Sequence, residues 1–211
     1  MKNSTHTLYL SLILLLLGCA KDEVVPMTST SILEFANIEV GSYWVYEWHI
    51  IEPEGTESPY NLKDSLVIER DTIISGKQYF IRSGTLLESD RTEILLFDSL
   101  NSIFIYPSNE ILFTIDETIE ETKFYGPAEE PVATGIYALS GDTSTVIVPA
   151  GEFECMNYQG LIEVQEPDYE FGIRENDNLY ANGIGLVLMK TQFLSSPNDL
   201  EMRLVRYGKI Q

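Results

Sequence analysis

The sequence predicts an all-β protein: an antiparallel meander forming a strongly curved sheet or open barrel, with a two-sheet β-sandwich as the alternative. Two observations carry that prediction. Turn signals recur about every ten residues between runs rich in β-branched and aromatic residues. Within several runs, apolar side chains alternate with polar ones, the period of a strand with one buried face. Only a short segment near Asp116–Glu121 reads as a helix.

The elements follow in order. In SYWVYEWHII, Trp44, Tyr46, Trp48 and Ile50 share one face, while Tyr43, Val45, Glu47, His49 and Ile51 share the other. The first set is the better core face. SLVIERDTII and KQYFIRSG come next, parted by Ser75-Gly76, a two-residue hairpin signal. EILLFDS and SIFIYP divide at Ser99-Leu100-Asn101, and EILFTI begins after Pro107-Ser108-Asn109. TSTVIV and EFECMNYQGLIEV flank Pro149-Ala150-Gly151. Proline presets φ for the first central turn position there, and glycine accepts the left-handed conformation. Asn182-Gly183 precedes GLVLMKTQF, and EMRLVRYG lies at the end.

Ahead of these strands, an apolar run extends from Leu8 to Leu17, with Lys2 before it and Gly18-Cys19 after it. A spanning helix needs about 20 apolar residues, so the run is roughly half the required length. A basic start, a short apolar stretch and a small closing residue describe a cleavable secretory signal. Residues 1–18 are read as signal peptide, 19–36 as a Ser/Thr/Pro-containing tether and 37–211 as a single β-rich domain.

Composition narrows the function classes. The chain has 13 Lys and Arg against 33 Asp and Glu, a formal net charge of −20. Such a surface repels phosphate backbones and anionic head groups, so nucleic acid is not an expected partner. The 12 Tyr, 9 Phe and 2 Trp supply a core without disulfide support.

Leu16-Leu17-Gly18-Cys19 resembles the lipobox of bacterial lipoproteins. The resemblance implies cleavage before Cys19, a diacylglyceryl group on its sulfur and, usually, an acylated new amino terminus. Two or more acyl chains anchor a protein stably where one does so only marginally. Lipidation of Cys19 would leave Cys155 alone, with no intramolecular disulfide. Ala20-Lys21-Asp22-Glu23 resembles the charged segment that follows the lipidated cysteine in Bacteroidota lipoproteins sent to the outer face of the outer membrane. That implies surface display, with the periplasmic face as the alternative.

GSYWVYEW, DTIISGKQYF, VPAGEFEC and YANGIGLV are similar to recurrent elements of an uncharacterised Bacteroidota lipoprotein family, over about Gly41 to Val187. These are folding signals, so the resemblance implies architecture and location and transfers no activity. More loosely, the pattern resembles half-barrel carriers of the lipoprotein-sorting type, which cradle acyl chains.

No catalytic, cofactor or metal residue is assigned. His49 is the only histidine after processing, so multi-histidine metal sites and H-E-x-x-H are absent from the mature sequence. A Cys155–His49 nucleophile and base pair is weighed against a buried, inert Cys155 and an outward His49, and the inert reading is preferred. Glu175-Asn176-Asp177-Asn178 lacks the spacing and glycine of an EF-hand loop and reads as a solvated turn. Gly183 and Gly185 read as a bend or bulge entering a strand rather than a nucleotide loop. Asp64-Ser65-Leu66, Asp71-Thr72-Ile73 and Asp98-Ser99-Leu100 resemble the Bacteroidota O-glycosylation sequon, which makes Ser65, Thr72 and Ser99 candidate acceptors, Ser99 favoured.

The expected function is a lipid-anchored cell-envelope protein, non-enzymatic, whose β-domain binds a ligand or partner or acts as an accessory subunit. Its expected partners are the membrane, through acyl chains on Cys19, and a small apolar ligand or an envelope protein. The competing expectation is an envelope glycan hydrolase whose catalytic carboxylates the sequence does not single out.

Overall fold

The computed structural model describes residues 31–87, 90–125, 130–165, 172–193 and 196–210. One short helix, α1 (Ile32–Phe35), precedes twelve strands. These are β1 (Ser42–Ile51), β2 (Glu57–Ile74), β3 (Lys77–Gly84), β4 (Thr92–Ser99), β5 (Ser102–Tyr106) and β6 (Glu110–Thr114). They continue as β7 (Glu120–Tyr125), β8 (Pro131–Val148), β9 (Gly151–Val164), β10 (Ile173–Ala181), β11 (Gly185–Thr191) and β12 (Asp199–Lys209).

All twelve strands form one sheet in the order β6-β5-β4-β3-β2-β1-β12-β11-β10-β9-β8-β7. Most strands pair with their neighbours in sequence. The exceptions are β1 with β12, which joins the two ends of the domain, and β6 with β7, which share no ladder and form the free edges. The sheet is thus an antiparallel meander rolled into a nearly closed barrel, with its seam between two consecutive strands. This is the curved-sheet architecture the sequence predicts, and the two-sheet sandwich is set aside. Register shifts in β1–β12, β2–β3 and β8–β9 supply the local bends that such curvature requires.

Local chemistry explains the turns. Ser75 and Gly76 both have positive φ, and Ile74 pairs directly with Lys77, as a primed two-residue hairpin demands. Pro149 and Ala150 join β8 to β9, with Val148 opposite Gly151. Beyond the shift after Leu139, this hairpin returns to β12: the Ala150 N–H donates to the Leu204 carbonyl at 3.0 Å, and the Phe153 and Tyr207 rings meet edge-on.

The inner face begins with the predicted set Trp44, Tyr46 and Trp48, all buried, with Ile50 packed beside them. Across the β1–β12 ladder, Leu204 stands opposite Tyr46, Met202 opposite Trp48 and Leu200 opposite Ile50. The close approach of β3 to β2 depends on Gly84, where a Cβ would sit 2.1 Å from the Ser65 carbonyl oxygen.

Three expectations change. Residues 31–36, assigned to the tether, are packed into the domain: Ser31 and Glu34 form a reciprocal capping box, and Ile32, Phe35 and Ala36 are buried. Phe35 stacks on Phe113 of β6, and its carbonyl accepts from the Gly183 N–H at 2.9 Å, so α1 plugs one end of the barrel. Near Asp116–Glu121 there is no helix; 115–119 is irregular and Glu120 opens β7. Glu175 to Asn178 is no solvated turn but part of β10, paired with β9 and β11.

Candidate functional site

A groove of about 570 Å³ lies within the barrel, lined from β1 and from β5 to β11 and including both free edges: Ile111 and Leu112 of β6, Thr122 and Phe124 of β7. That volume lies within the usual range of small-molecule sites, about 300–1,000 Å³. Trp48, Leu87 and Ile105 extend an apolar wall. The opposite wall is polar. Asn176, Asn178 and Tyr180 share the inner face of β10 by strand alternation, and Asn176 and Asn178 reach the groove beside Tyr137 and Tyr158.

The polar wall is tied together by hydrogen bonds. Asn176 Nδ2 donates to Tyr137 Oη at 3.1 Å, and Asn178 Nδ2 donates to the Tyr158 carbonyl at 3.0 Å. Tyr158 Oη donates to Glu120 Oε2 at 3.1 Å, while Glu120 Oε1 accepts the Ile111 N–H at 3.1 Å. Glu120 therefore bridges the two edges by side chain where no ladder exists. Among the described residues, Asn176 Oδ1 is buried without a partner.

Behind the apolar wall lies Asp64, 1% exposed. Its Oδ2 accepts from Trp48 Nε1 at 2.6 Å and from the Leu87 N–H at 2.7 Å, while Oδ1 has no partner among the described residues. This carboxylate fixes the Trp48 ring and the segment after β3, both of which line the groove. Burial raises the pKa values of Tyr46, Tyr158 and Tyr180, that of Tyr180 to about 12, so all three hydroxyls remain neutral donors across the physiological range.

The other candidates are dispersed. Cys155 is fully buried on β9, and burial pushes its thiol from 9.0 up to about 11, so it packs as an apolar residue and is a poor nucleophile. His49 lies on the outer face of β1, with β12, β11 and β10 between it and the strand of Cys155. Its side chain is 13% exposed rather than freely solvated, with Nδ1 2.8 Å from Glu57 Oε1 in an ion-pair contact without hydrogen-bond geometry. Arg203 grips the same Glu57 in a bidentate pair at 2.7 and 3.0 Å and holds its carboxyl below the usual range. Among the described residues, no group of three or more His, Cys, Asp and Glu is arranged to hold a metal ion. Ser65 is exposed in mid-β2, Thr72 is half-buried on the same strand, and Ser99 is exposed at the end of β4. Cys19 and the Lys21-Asp22-Glu23 segment lie outside the described residues.

Sequence reasoning missed the groove residues Asn176 and Asn178, and it treated Asp64 only as part of a sequon. The available signal was alternation: Arg174, Asn176, Asn178 and Tyr180 recur with period two ahead of the Asn182-Gly183 turn.

The fold and groove define a class by architecture: a nearly closed antiparallel meander barrel, plugged at one end, with a ligand-sized groove within it. No protein-family model and no curated protein matches the sequence. Two crystal structures are similar in fold. One is a candidate exported protein with a YmcC-like fold from Bacteroides fragilis, 12% identical, covering 81% of this chain and 97% of that one with a TM-score of 0.47. The other is a candidate lipoprotein from Parabacteroides distasonis, 13% identical, covering 81% and 96% with a TM-score of 0.43. Likeness at this level does not bear on activity.

Replacing Asp64 by Ala strands two buried donors, and we expect a loss of about 3 kcal/mol in urea unfolding at neutral pH. Trp48→Phe removes one donor and keeps most of the ring, so it should cost less. In the double-mutant cycle the two effects should couple, and simple additivity would show that the bond does not hold the wall.

The buried tyrosines set an alkaline limit. An unfolded tyrosine ionises near pH 10, whereas the folded ones resist, so the unfolded state binds fewer protons above that pH. Their contribution should be complete below pH 10 and lost as pH rises through their folded values. Unfolding followed by tyrosinate absorbance should show a delayed, cooperative ionisation, and simple titration near pH 10 would contradict the burial assignment.

Proposed function

We propose that the mature chain is a non-enzymatic, lipid-anchored envelope protein whose barrel binds an amphipathic ligand in the groove. The observation that supports this reading best is the groove itself, where apolar side chains such as Trp48 and Ile105 face Asn, Tyr, Glu and Lys residues. Such a site suits a molecule with an acyl or aromatic body and a hydrogen-bonding head. The unpaired Asn176 Oδ1 offers such a head an acceptor. An adaptor role has less support, because the large exposed apolar residues are spread over many strands; Ile136 and Leu161 are one cross-strand pair of them.

One observation favours the hydrolase reading: Glu110 and Glu120 both line the groove. Both oxygens of Glu120 are already occupied, by the Ile111 N–H and Tyr158 Oη, which suits a structural bridge better than a general acid or nucleophile. Loss of a glycan-hydrolase activity on Glu110→Gln would reverse the preference.

The anchor belongs to the same proposal. Cys19 carries the acyl chains, the 21–23 segment directs the protein to the outer face of the outer membrane, and any O-linked glycan sits on Ser99 before Ser65 or Thr72. Radioactive palmitate should label the wild-type chain and not Cys19→Ala, and protease added to intact cells should remove the domain. Label on the variant would exclude the anchor, and protection until the envelope is opened would place the domain on the periplasmic side.

The ligand proposal is tested on the complete mature chain, released in soluble form by an ordinary secretory signal. Dansyl-undecanoic acid should bind saturably with one site per chain. Ile111→Glu, at a half-buried edge position, should weaken binding about tenfold, or about 1.4 kcal/mol, in a chain whose circular dichroism keeps the wild-type β signature. Unsaturable uptake, or equal affinity in the variant, would remove the groove from consideration.

A further inference from the structure

The barrel interior continues beyond the groove by one residue layer. Tyr46 lies two residues from Trp48 on β1, Ile103 two from Ile105 on β5, and Tyr180 two from Asn178 on β10; Leu112 lines both spaces. The inner space is about 30 Å³, room for a water molecule or a monatomic ion. Apart from Arg82 and the two tyrosine hydroxyls, its walls are apolar or aromatic.

We infer that this inner space is a binding site for a single negative charge, built on Arg82. Strand alternation puts Arg82 on the inner face of β3 with Phe80, away from Tyr79 and Ile81. Its register partners are Ile68 on β2 and Ile94 on β4, so no acid stands beside it across either ladder. Among the described residues Arg82 makes no ion pair and donates no hydrogen bond, and the titratable groups acting on it are Tyr180 and Tyr46. The nearest acid on the inner face of β2 is Asp64, which is engaged by Trp48 and Leu87.

A guanidinium does not lose its proton inside a protein. Arg82 is half-buried, and a charge partly withdrawn from water without a partner is unfavourable, so the native state gains from an anion that fits. The donors for one are present. Arg82 offers a planar fork of N–H groups suited to a carboxylate. Tyr180 Oη donates to the Leu112 carbonyl at only 3.5 Å, a long contact whose hydrogen is readily turned toward a bound anion. Tyr46 Oη is committed to the Leu186 carbonyl at 2.9 Å and closes the opposite side. One cation and little room select a monoanion over phosphate or sulfate.

Two sources share this chemistry: a free halide, or the carboxylate head of a chain lodged in the groove. The site itself stands without the groove reading; the head-group source rests on it. A carboxylate needs more than the present 30 Å³, so its arrival displaces Leu112, the side chain common to both spaces. Its tail would then lie along the apolar wall, one layer or about 7 Å away.

The test is thermal unfolding of the complete soluble mature chain and of Arg82→Met in sodium gluconate. Chloride is exchanged for gluconate at constant ionic strength; separately, laurate or dodecanol is added. The wild type should gain about 5 °C at saturating chloride, laurate or both, and Arg82→Met should gain nothing from chloride and respond alike to laurate and dodecanol. A gain with laurate but not chloride identifies the head group, and a gain with chloride alone identifies a small ion and leaves the groove reading without support. Equal responses to laurate and dodecanol in the wild type, with none to chloride, overturn the Arg82 site and leave the groove intact. No response to any of the three overturns the site as well. Should Arg82→Met fail to fold, chloride NMR line broadening by the wild type, relieved by laurate, supports the site, and its absence together with an equal laurate and dodecanol response overturns it.

Discussion

The structure depends on one constraint: a twelve-stranded meander whose first and last strands pair, but whose two free edges do not. The β1–β12 ladder joins the ends of the domain and fixes the inner face through Tyr46–Leu204 and Trp48–Met202. Curvature then brings β6 and β7 to opposite sides of a seam without completing the hydrogen-bonded ring. Unpaired edges are normally a liability. Here the seam is bridged by side chains, with Glu120 accepting from the Ile111 N–H on one side and Tyr158 Oη on the other. A ladder at this point would close the barrel. The Glu120 bridge holds the edges in relation while leaving room between them.

The interior is graded along the barrel axis. At the plugged end, Phe35 stacks on Phe113, and Phe113 stacks on Tyr180 at 4.0 Å, a dense aromatic layer with little free volume. Tyr180 also lines the small cavity together with Tyr46 and Arg82, and beyond them Trp48, Asn178 and Met189 line the groove. Among the described inner-face residues, Asp64 Oδ1 and Asn176 Oδ1 are buried without a partner, while the half-buried Arg82 has neither an ion pair nor a hydrogen bond. Buried polar groups are nearly always satisfied, so the two oxygens are not explained by internal packing alone.

Much of the fold was legible because the strongest signals are local. Ser75-Gly76 can form only a tight turn with both residues at positive φ, and the alternation from Trp44 to Trp48 has a single sensible inner face. The helical reading of Asp116–Glu121 failed because charged residues at an irregular crossing resemble an exposed helix, and the capping box at Ser31 and Glu34 was overlooked beside the Ser/Thr-rich tether. The site was barely legible. Asn176 and Asn178 look like turn residues in isolation; they become groove lining only because β9 and β11 pair on either side of β10. Arg82 reads as an ordinary strand charge until the sheet curls around it. Both depend on contacts distant in sequence, which periodicity does not encode.

Charge separates the exterior from the interior. The chain carries −20 overall, yet the inner layer of its barrel holds a cation without a carboxylate. A small anion approaching from solvent meets a repulsive field that salt screens over about 8–10 Å. An amphiphile meets the same field, but its tail gains free energy from the apolar wall at roughly 25 cal/mol per Å² buried. On the proposed ligand reading the two layers would act in combination, Arg82 on a monoanionic head and the apolar residues of the groove on its chain.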